Sequence, residues 1–244
     1  MEDLQPLIEH LIELRARIVR ASVGILIAFV CMYPWAGKLY HLVALPMLKV
    51  LPEGSHMIST EVTSNFFVPM KVVALTAFLL TLPHTLYQAW AFIAPGLYKH
   101  EKRLVVPLIA SSLVLFAIGM AFAYFLVFPV VFGFMAASTP EGVAMMTDID
   151  KYLSFVLGMF VAFGVTFETP VVVMVLVRMG VVTVEKLKDW RPYIVVTCFI
   201  IAAIVTPPDA LSMTMLAVPL WLLYELGVVL SQWLVTAKPT EAAE

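Results

Sequence analysis

Charge is scarce in this chain. Asp, Glu, Lys and Arg make up 13% of its 244 residues, against 62% hydrophobic ones, and the mean hydropathy is +0.97. That leaves too little polar surface to coat a water-soluble globule. Cysteine is nearly absent: Cys31 and Cys198 both fall inside long apolar runs, where an inert thiol is expected rather than a disulfide or metal ligand. Enzymatic signatures are missing too. His100-Glu101 begins like a zinc-protease motif, but Lys102, Arg103 and Leu104 follow and no second histidine arrives in place. There is no G-x-S-x-G serine, no C-x-x-C pair and no glycine-rich phosphate loop. These absences argue against an enzyme, a metal, a cofactor or direct use of ATP, and nothing points to nucleic acid. The chain opens on Glu2 and Asp3 rather than on a basic segment joined to an apolar run. The first apolar run is therefore expected to be its own insertion signal, not a cleaved leader.

Long hydrophobic runs are what the sequence has in quantity. Crossing a hydrocarbon core of about 30 Å takes roughly 20 residues, and spans are expected near Ala21–Tyr40, Phe67–Ala91, Val105–Phe132, Tyr152–Val177, Tyr193–Thr206 and Ala210–Leu230. They must be helices, since lipid cannot satisfy backbone polar groups and no alternating barrel pattern is present. The expected fold is thus an all-α integral membrane protein with six transmembrane helices in one domain, residues 1–233, followed by a short tail, 234–244. The run Tyr193–Thr206 lies between Arg191-Pro192 and Pro207-Pro208-Asp209 and reaches only about 21 Å at a rise of 1.5 Å per residue. The fifth and sixth helices are accordingly expected to be short, to form a rigid hairpin and to thin the bilayer around them.

Basic residues fall unevenly. Arg15, Arg17 and Arg20 precede the first span; Lys99, Lys102 and Arg103 follow the second; Arg178, Lys186, Lys188 and Arg191 follow the fourth; and Lys238 is in the tail. The opposite connections hold Lys38, Lys49, Lys71 and Lys151. The positive-inside rule then places both termini in the cytoplasm, with the basic side facing anionic lipid headgroups.

Three regions stand out against this background. Leu4, Leu7, Ile8, Leu11, Leu14 and Ile18 recur at helical spacing, as in an amphipathic helix (residues 1–17) lying in the cytoplasmic interface. Its other side carries Glu9, Glu13 and Arg17. A Glu13-Arg17 pair worth a few tenths of a kcal/mol is one reading of these, and a binding role is the other. His41–Phe66 sets apolar residues around Pro46 and Pro52, which suggests short pieces capping the bundle or a lid over a cavity. Finally, FIAPGLYKHEKR at 92–103 places the carboxylate of Glu101 among Lys99, Lys102 and Arg103. An acid among residues that fix orientation calls for a cationic partner.

Ionisable and polar groups inside spans are costly. Glu168 sits in the fourth span just before Pro170, whose missing N–H is expected to kink the helix. It is expected to face the protein interior and to serve function more than structure. Gln88, after Pro83 and His84, suits hydrogen bonding between helices, Glu225 is placed to reach the cytoplasmic interface, and Gly119 with Ala123 or Gly158 with Ala162 suit close helix contact.

HLIELR at 10–15, QAW at 88–90 before the FIAPGLYKHEKR loop, GMAFAYF at 119–125 and TPPD at 206–209 occur in order over nearly the whole chain. Together they resemble the TatC family, the multispanning subunit of the twin-arginine protein translocase. The resemblance implies a receptor for Arg-Arg signal peptides of folded cargo, in a bacterial inner membrane, N-in and C-in. It further implies the single-span partners TatA and TatB, homo-oligomerisation within the complex, and driving by the proton motive force. The implied site residues are Glu13, Arg15, Phe92, Pro95, Leu97 and Glu101 for the signal peptide, Glu168 in the fourth span, and Pro46 and Asp209 on the periplasmic side. A glutamine common in the family four residues after that aspartate is Met213 here. A carboxylate accepts a guanidinium fork through two parallel hydrogen bonds, whereas an ammonium is only a point charge. Glu13 and Glu101, if brought together, would form a clamp for two arginines. The competing readings are a proton-coupled transporter of a small solute working through Glu168, against which no convincing inverted repeat is present, and a scaffold for other membrane proteins.

Overall fold

The computed structural model describes residues 5–48, 57–97, 105–140, 146–206 and 210–236, without the side chains of 5–7, 93–97, 105, 205 and 234–236. It is built from helices. Four stretches, Ile8–Leu48, Val106–Ala137, Ile149–Arg178 and Ala210–Trp233, are each long and apolar enough to cross a membrane. Ser64–Leu80 and Leu82–Phe92 meet that test only as a pair, bent by 59°, and Arg191–Ile204 is a shorter apolar helix. The protein is a multi-pass membrane protein. Its contacts divide the chain into two compact units, Met1–Leu113 with Met135–Leu157, and Val114–Phe134 with Gly158–Glu244.

The first unit begins with α1 (Gln5–Met32), continuous from the amphipathic segment into the expected first span. A 3-10 turn at Tyr33–Trp35, where Pro34 interrupts the helix ladder, leads to α2 (Ala36–Leu48). Pro46 is buried in α2, and the hydroxyl of Tyr152 donates to the carbonyl of Val43 at 2.9 Å. The next apolar stretch is two helices, α3 (Ser64–Leu80) and α4 (Leu82–Leu97). Pro83 explains the break at Thr81, since it cannot donate to the carbonyl four residues back. At the break the Thr81 hydroxyl donates to Ala77 O at 2.8 Å, a carbonyl that its own N–H also reaches.

Two stubs of strand, β1 (Met57–Ile58) and β2 (Thr147–Asp148), pair in parallel across about ninety residues of chain and were not foreseen. Asp148 holds the tie: its carboxylate accepts from the Thr60 hydroxyl and backbone N–H and from the N–H groups of Asp150 and Lys151. Beside it Lys71 pairs with Asp150 at 2.6 Å. These bonds, the Thr60 hydroxyl first and the Lys151 N–H next, hold the Asp148 carboxyl down from 3.8 to about 2. A carboxyl depressed on folding stabilises fully above its unfolded range and loses that contribution as pH falls through its folded value. The tie is therefore expected to persist at pH 4 and to open as the pH falls to about 2. Thr60→Val should move the Asp148 titration, read by carboxyl NMR, back toward 3.8; an unmoved titration would refute the assignment.

The third long helix, α5 (Val105–Phe122), passes through a π turn at Ala123–Val127 into α6 (Phe128–Ala137). The bulge precedes Pro129 and absorbs the bond that residue cannot make, with Phe128 N–H reaching Ala123 O instead. The fourth is α7 (Ile149–Phe167) followed by α8 (Thr169–Arg178), interrupted at Glu168 as Pro170 predicts.

In the second unit, α5 and α7 interlock through small residues against rings. A methyl on Gly119 would lie 2.6 Å from Phe163 O and 2.9 Å from Phe167 Cγ, and one on Gly164 2.3 Å from the Phe116 ring. Nothing lies within 4 Å of the corresponding points at Gly158 or Gly133. The expected contact at Gly119 is present, and the one at Gly158 is not; Gly164, which meets Phe116, holds the close approach. Gly119→Ala is expected to cost about 1–3 kcal/mol of overpacking, because the obstacle is the backbone carbonyl of Phe163 and the buried ring of Phe167. Gly133→Ala should stay within about 0.5 kcal/mol. Thermal midpoints in detergent decide between the two.

After Gly180, which turns the chain at φ +71, α9 (Val184–Asp189) leads to α10 (Arg191–Val205) and α11 (Ala210–Thr236). Thr183 caps α9 by accepting from Lys186 N–H. Val173, Val182, Val184, Leu187, Tyr224 and Val228 form the core here, where the Tyr224 hydroxyl donates to Leu187 O at 2.8 Å. Gly227 brings α11 onto α8, its added methyl falling 2.9 Å from Pro170 Cα. The fifth helix is short as expected, but the sixth is not. With 27 residues, α11 would reach about 40 Å, because no glycine or proline stops it at Leu230 and its internal Pro219 does not break it.

Candidate functional site

Helices α1 and α4 run antiparallel within the first unit, and the residues that meet along them mark the candidate site. At one end the rings of His10 and Phe92 stack with centroids 4.2 Å apart. At the other, Gly24 gives room to the His84 ring, which a methyl there would approach to 3.2 Å. Between them lies a cavity of about 260 Å³ lined by Leu14, Arg17, Ile18 and Ala21 from α1 and by Thr85, Gln88, Ala89 and Phe92 from α4. Both sets follow the spacing i, i+3, i+4, i+7, which puts four side chains on one helical face. The alternation that marks Leu14 and Ile18 as an apolar stripe therefore also marks a cavity wall.

Glu13, next to the wall residue Leu14 in α1 but not itself among the lining residues, has its side chain 37% exposed. Arg17, one turn on, donates to Glu13 Oε1 from both Nε at 2.9 Å and Nη2 at 2.6 Å. Arg15 is exposed and is not among the lining residues. Gln88 is only 7% exposed, and its Oε1 accepts no hydrogen bond among the described residues. The packing role expected for Gln88 accounts for its burial but leaves this acceptor idle. Nearby, Trp90 Nε1–H donates to Ser112 Oγ at 3.2 Å, tying α4 to α5 where both side chains are buried.

The other expected site residues are dispersed. Pro95 and Leu97 belong to the last turns of α4, where only the backbone is described; Glu101 and Asp209 lie outside the described residues. Pro46 is a buried residue of α2. Glu168 occupies the α7–α8 break in the second unit, with both carboxylate oxygens buried. Glu225 pairs with Arg191 at 2.6 Å. No group of three or more His, Cys, Asp or Glu among the described residues could hold a metal ion. Chemically, the α1–α4 cleft offers a half-exposed carboxylate already engaged by a guanidinium, an idle amide acceptor and apolar walls. That combination suits capture of a cationic, partly apolar segment.

Comparison with known proteins agrees in extent and in fold. A family model described as Sec-independent protein translocase protein (TatC) matches residues 9–219. The chain is 52% identical over 235 residues to the Sec-independent protein translocase protein TatC of Escherichia coli (strain K12), covering 96% of this chain and 91% of that one. It is 52% identical over 223 residues to the protein of the same name from Azotobacter chroococcum mcd 1, covering 91% and 88%. A crystal structure of a twin arginine translocase receptor, TatC, superposes with a TM-score of 0.83 at 38% identity, over 93% of this chain and 99% of that one.

Proposed function

The chain belongs to the TatC family of Sec-independent protein translocase proteins, and from that premise we propose that it is the receptor subunit of twin-arginine translocation. In this reading it binds Arg-Arg signal peptides of folded proteins at its cytoplasmic face and nucleates the translocon for export driven by the proton motive force. It does so by binding, not by catalysis. Its place is the bacterial inner membrane, crossed six times with both termini inside. The spans are the four long stretches, the bent α3–α4 pair and the short α10. Its partners are TatA and TatB, further copies of itself and the lipid around it.

The observation that carries this reading is the Glu13 carboxylate, part-exposed and paired with Arg17, which lines an apolar cavity. Glu101 follows Leu97, the end of α4, by four residues in the sequence. The His10–Phe92 stack holds α4, five residues before its end, against α1 about one turn before Glu13. This favours the two acids acting on one pair of arginines, with Arg15, Phe92, Pro95 and Leu97 shaping the approach. Glu168 and Gln88 serve as intramembrane polar groups, and Pro46 and Asp209 act on the periplasmic side. The 15 residues of α10 would reach about 22 Å, which supports a thinned bilayer beside it. Family membership supports the receptor over a proton-coupled transporter.

Titration of the purified protein in nanodiscs with a twin-arginine peptide tests the proposal. Saturable binding that weakens when Lys-Lys replaces Arg-Arg is expected. Equal affinity for both peptides, or none, would sink it.

A further inference from the structure

We propose that Arg17 is a resident competitor for the arginine of the incoming peptide, and that Gln88 is the acceptor that takes over Arg17 once the peptide has displaced it from Glu13. The inference rests on the reading of Glu13 as a signal-peptide acid and adds two residues that set its specificity. An open, half-exposed carboxylate would attract any cation. Here two donors of one guanidinium already hold Glu13 Oε1, so a newcomer must match a fork, which ammonium cannot do.

Displacement creates a second difficulty, and the cavity answers it. The Arg17 side chain is 19% exposed, and once released it would face walls made by Leu14, Ile18, Ala21 and Phe92. A guanidinium left there without an acceptor is costly. The same cavity contains Gln88, whose buried Oε1 accepts nothing among the described residues. The terminal torsion of glutamine is broad and soft, so rotation of the amide turns that oxygen toward the released guanidinium. One exchange then satisfies both a displaced donor and an idle acceptor. For an arginine peptide the exchange is close to balanced; for a lysine peptide the fork on Glu13 is lost and a single charge replaces it.

The test measures affinities of Arg-Arg and Lys-Lys forms of one signal peptide for the parent, Arg17→Gln, Gln88→Leu and the double variant, in nanodiscs. Arg17→Gln should narrow the preference for Arg-Arg at least fivefold, mostly through tighter Lys-Lys binding. Gln88→Leu should weaken Arg-Arg binding about tenfold in the parent, the range for one lost buried partner, and less than twofold when Arg17 is already absent. An equal loss in both backgrounds would mean that Gln88 touches the peptide or only packs, and would overturn the exchange. So would an unchanged preference in Arg17→Gln. If Gln88→Leu does not fold, Arg17→Lys replaces it: charge kept without the fork should narrow the preference too, and an unaltered preference refutes the idea. Failure of the parent to bind Arg-Arg peptide at all is a different result, which removes the receptor reading itself.

Discussion

Glu101→Ala is expected to weaken twin-arginine peptide binding at least tenfold. A hydrogen bond to a charged group contributes about 1.5–3 kcal/mol, and truncating one partner of a desolvated charged pair costs about 2–5. Tenfold corresponds to about 1.4 kcal/mol, so the forecast is the lower edge of that range. Glu101→Gln should be nearly as poor, because it keeps the shape but loses the charge and one acceptor. Glu13→Ala should act in the same direction with a smaller net loss, since Glu13 is engaged by Arg17 before the peptide arrives and the parent must first break that pair. If both acids grip one arginine pair, the double variant costs less than the sum of the singles. Peptide affinity, with folding checked by thermal midpoint, decides. Single variants that bind Arg-Arg as tightly as the parent would leave the acids as local charge balance only.

What the sequence made legible is what lipid enforces. A bilayer admits helices, so apolar runs at the required length announce them, and Pro170 announced the break at Glu168, whereas Pro46, Pro69 and Pro219 lie inside helices without ending them. Thr81 before Pro83, Glu168 before Pro170 and the π turn before Pro129 all follow from a missing N–H. The length of α11 was not legible, because nothing in its sequence prevents continuation and a tight turn at one end says nothing of the other. The pairing of Met57–Ile58 with Thr147–Asp148 joins segments with no local signal, and its stabilising carboxylate, Asp148, looks like any loop aspartate.

The candidate site was half visible. Glu13 and Arg17 stand four apart, and the sequence alone predicts that they meet. The cavity beside them was hidden, since a cavity is defined by atoms that are not there and needs two helices to enclose it. The wall residues Thr85, Gln88, Ala89 and Phe92 carry the same face spacing as Leu14, Arg17, Ile18 and Ala21. Read separately, each stripe is an ordinary packing face. Only their antiparallel register, fixed at His10–Phe92 and Gly24–His84, turns them into one container.

Glu168→Leu is expected to reduce export at least fivefold while leaving the fold in place. Burying a carboxylate in an apolar segment costs several kcal/mol, and replacing such a group by an apolar one of similar volume is often neutral or stabilising. A group retained at that cost inside a span is a functional site by default. Both oxygens of Glu168 are buried at the α7–α8 break, where Pro170 already fixes the backbone, so the carboxylate is not needed to make the kink. The thermal midpoint of Glu168→Leu should therefore fall by less than about 4 °C, the shift of roughly 1 kcal/mol in a protein of this size. Peptide affinity at Glu13 and Glu101 should be unchanged, because the loss lies after recognition. Gly119→Ala gives the opposite pattern, a lower midpoint from overpacking between α5 and α7. Export and midpoint measured together separate the cases. A Glu168→Leu protein that exports normally, or one that unfolds, would show that the buried carboxylate serves structure or nothing at all.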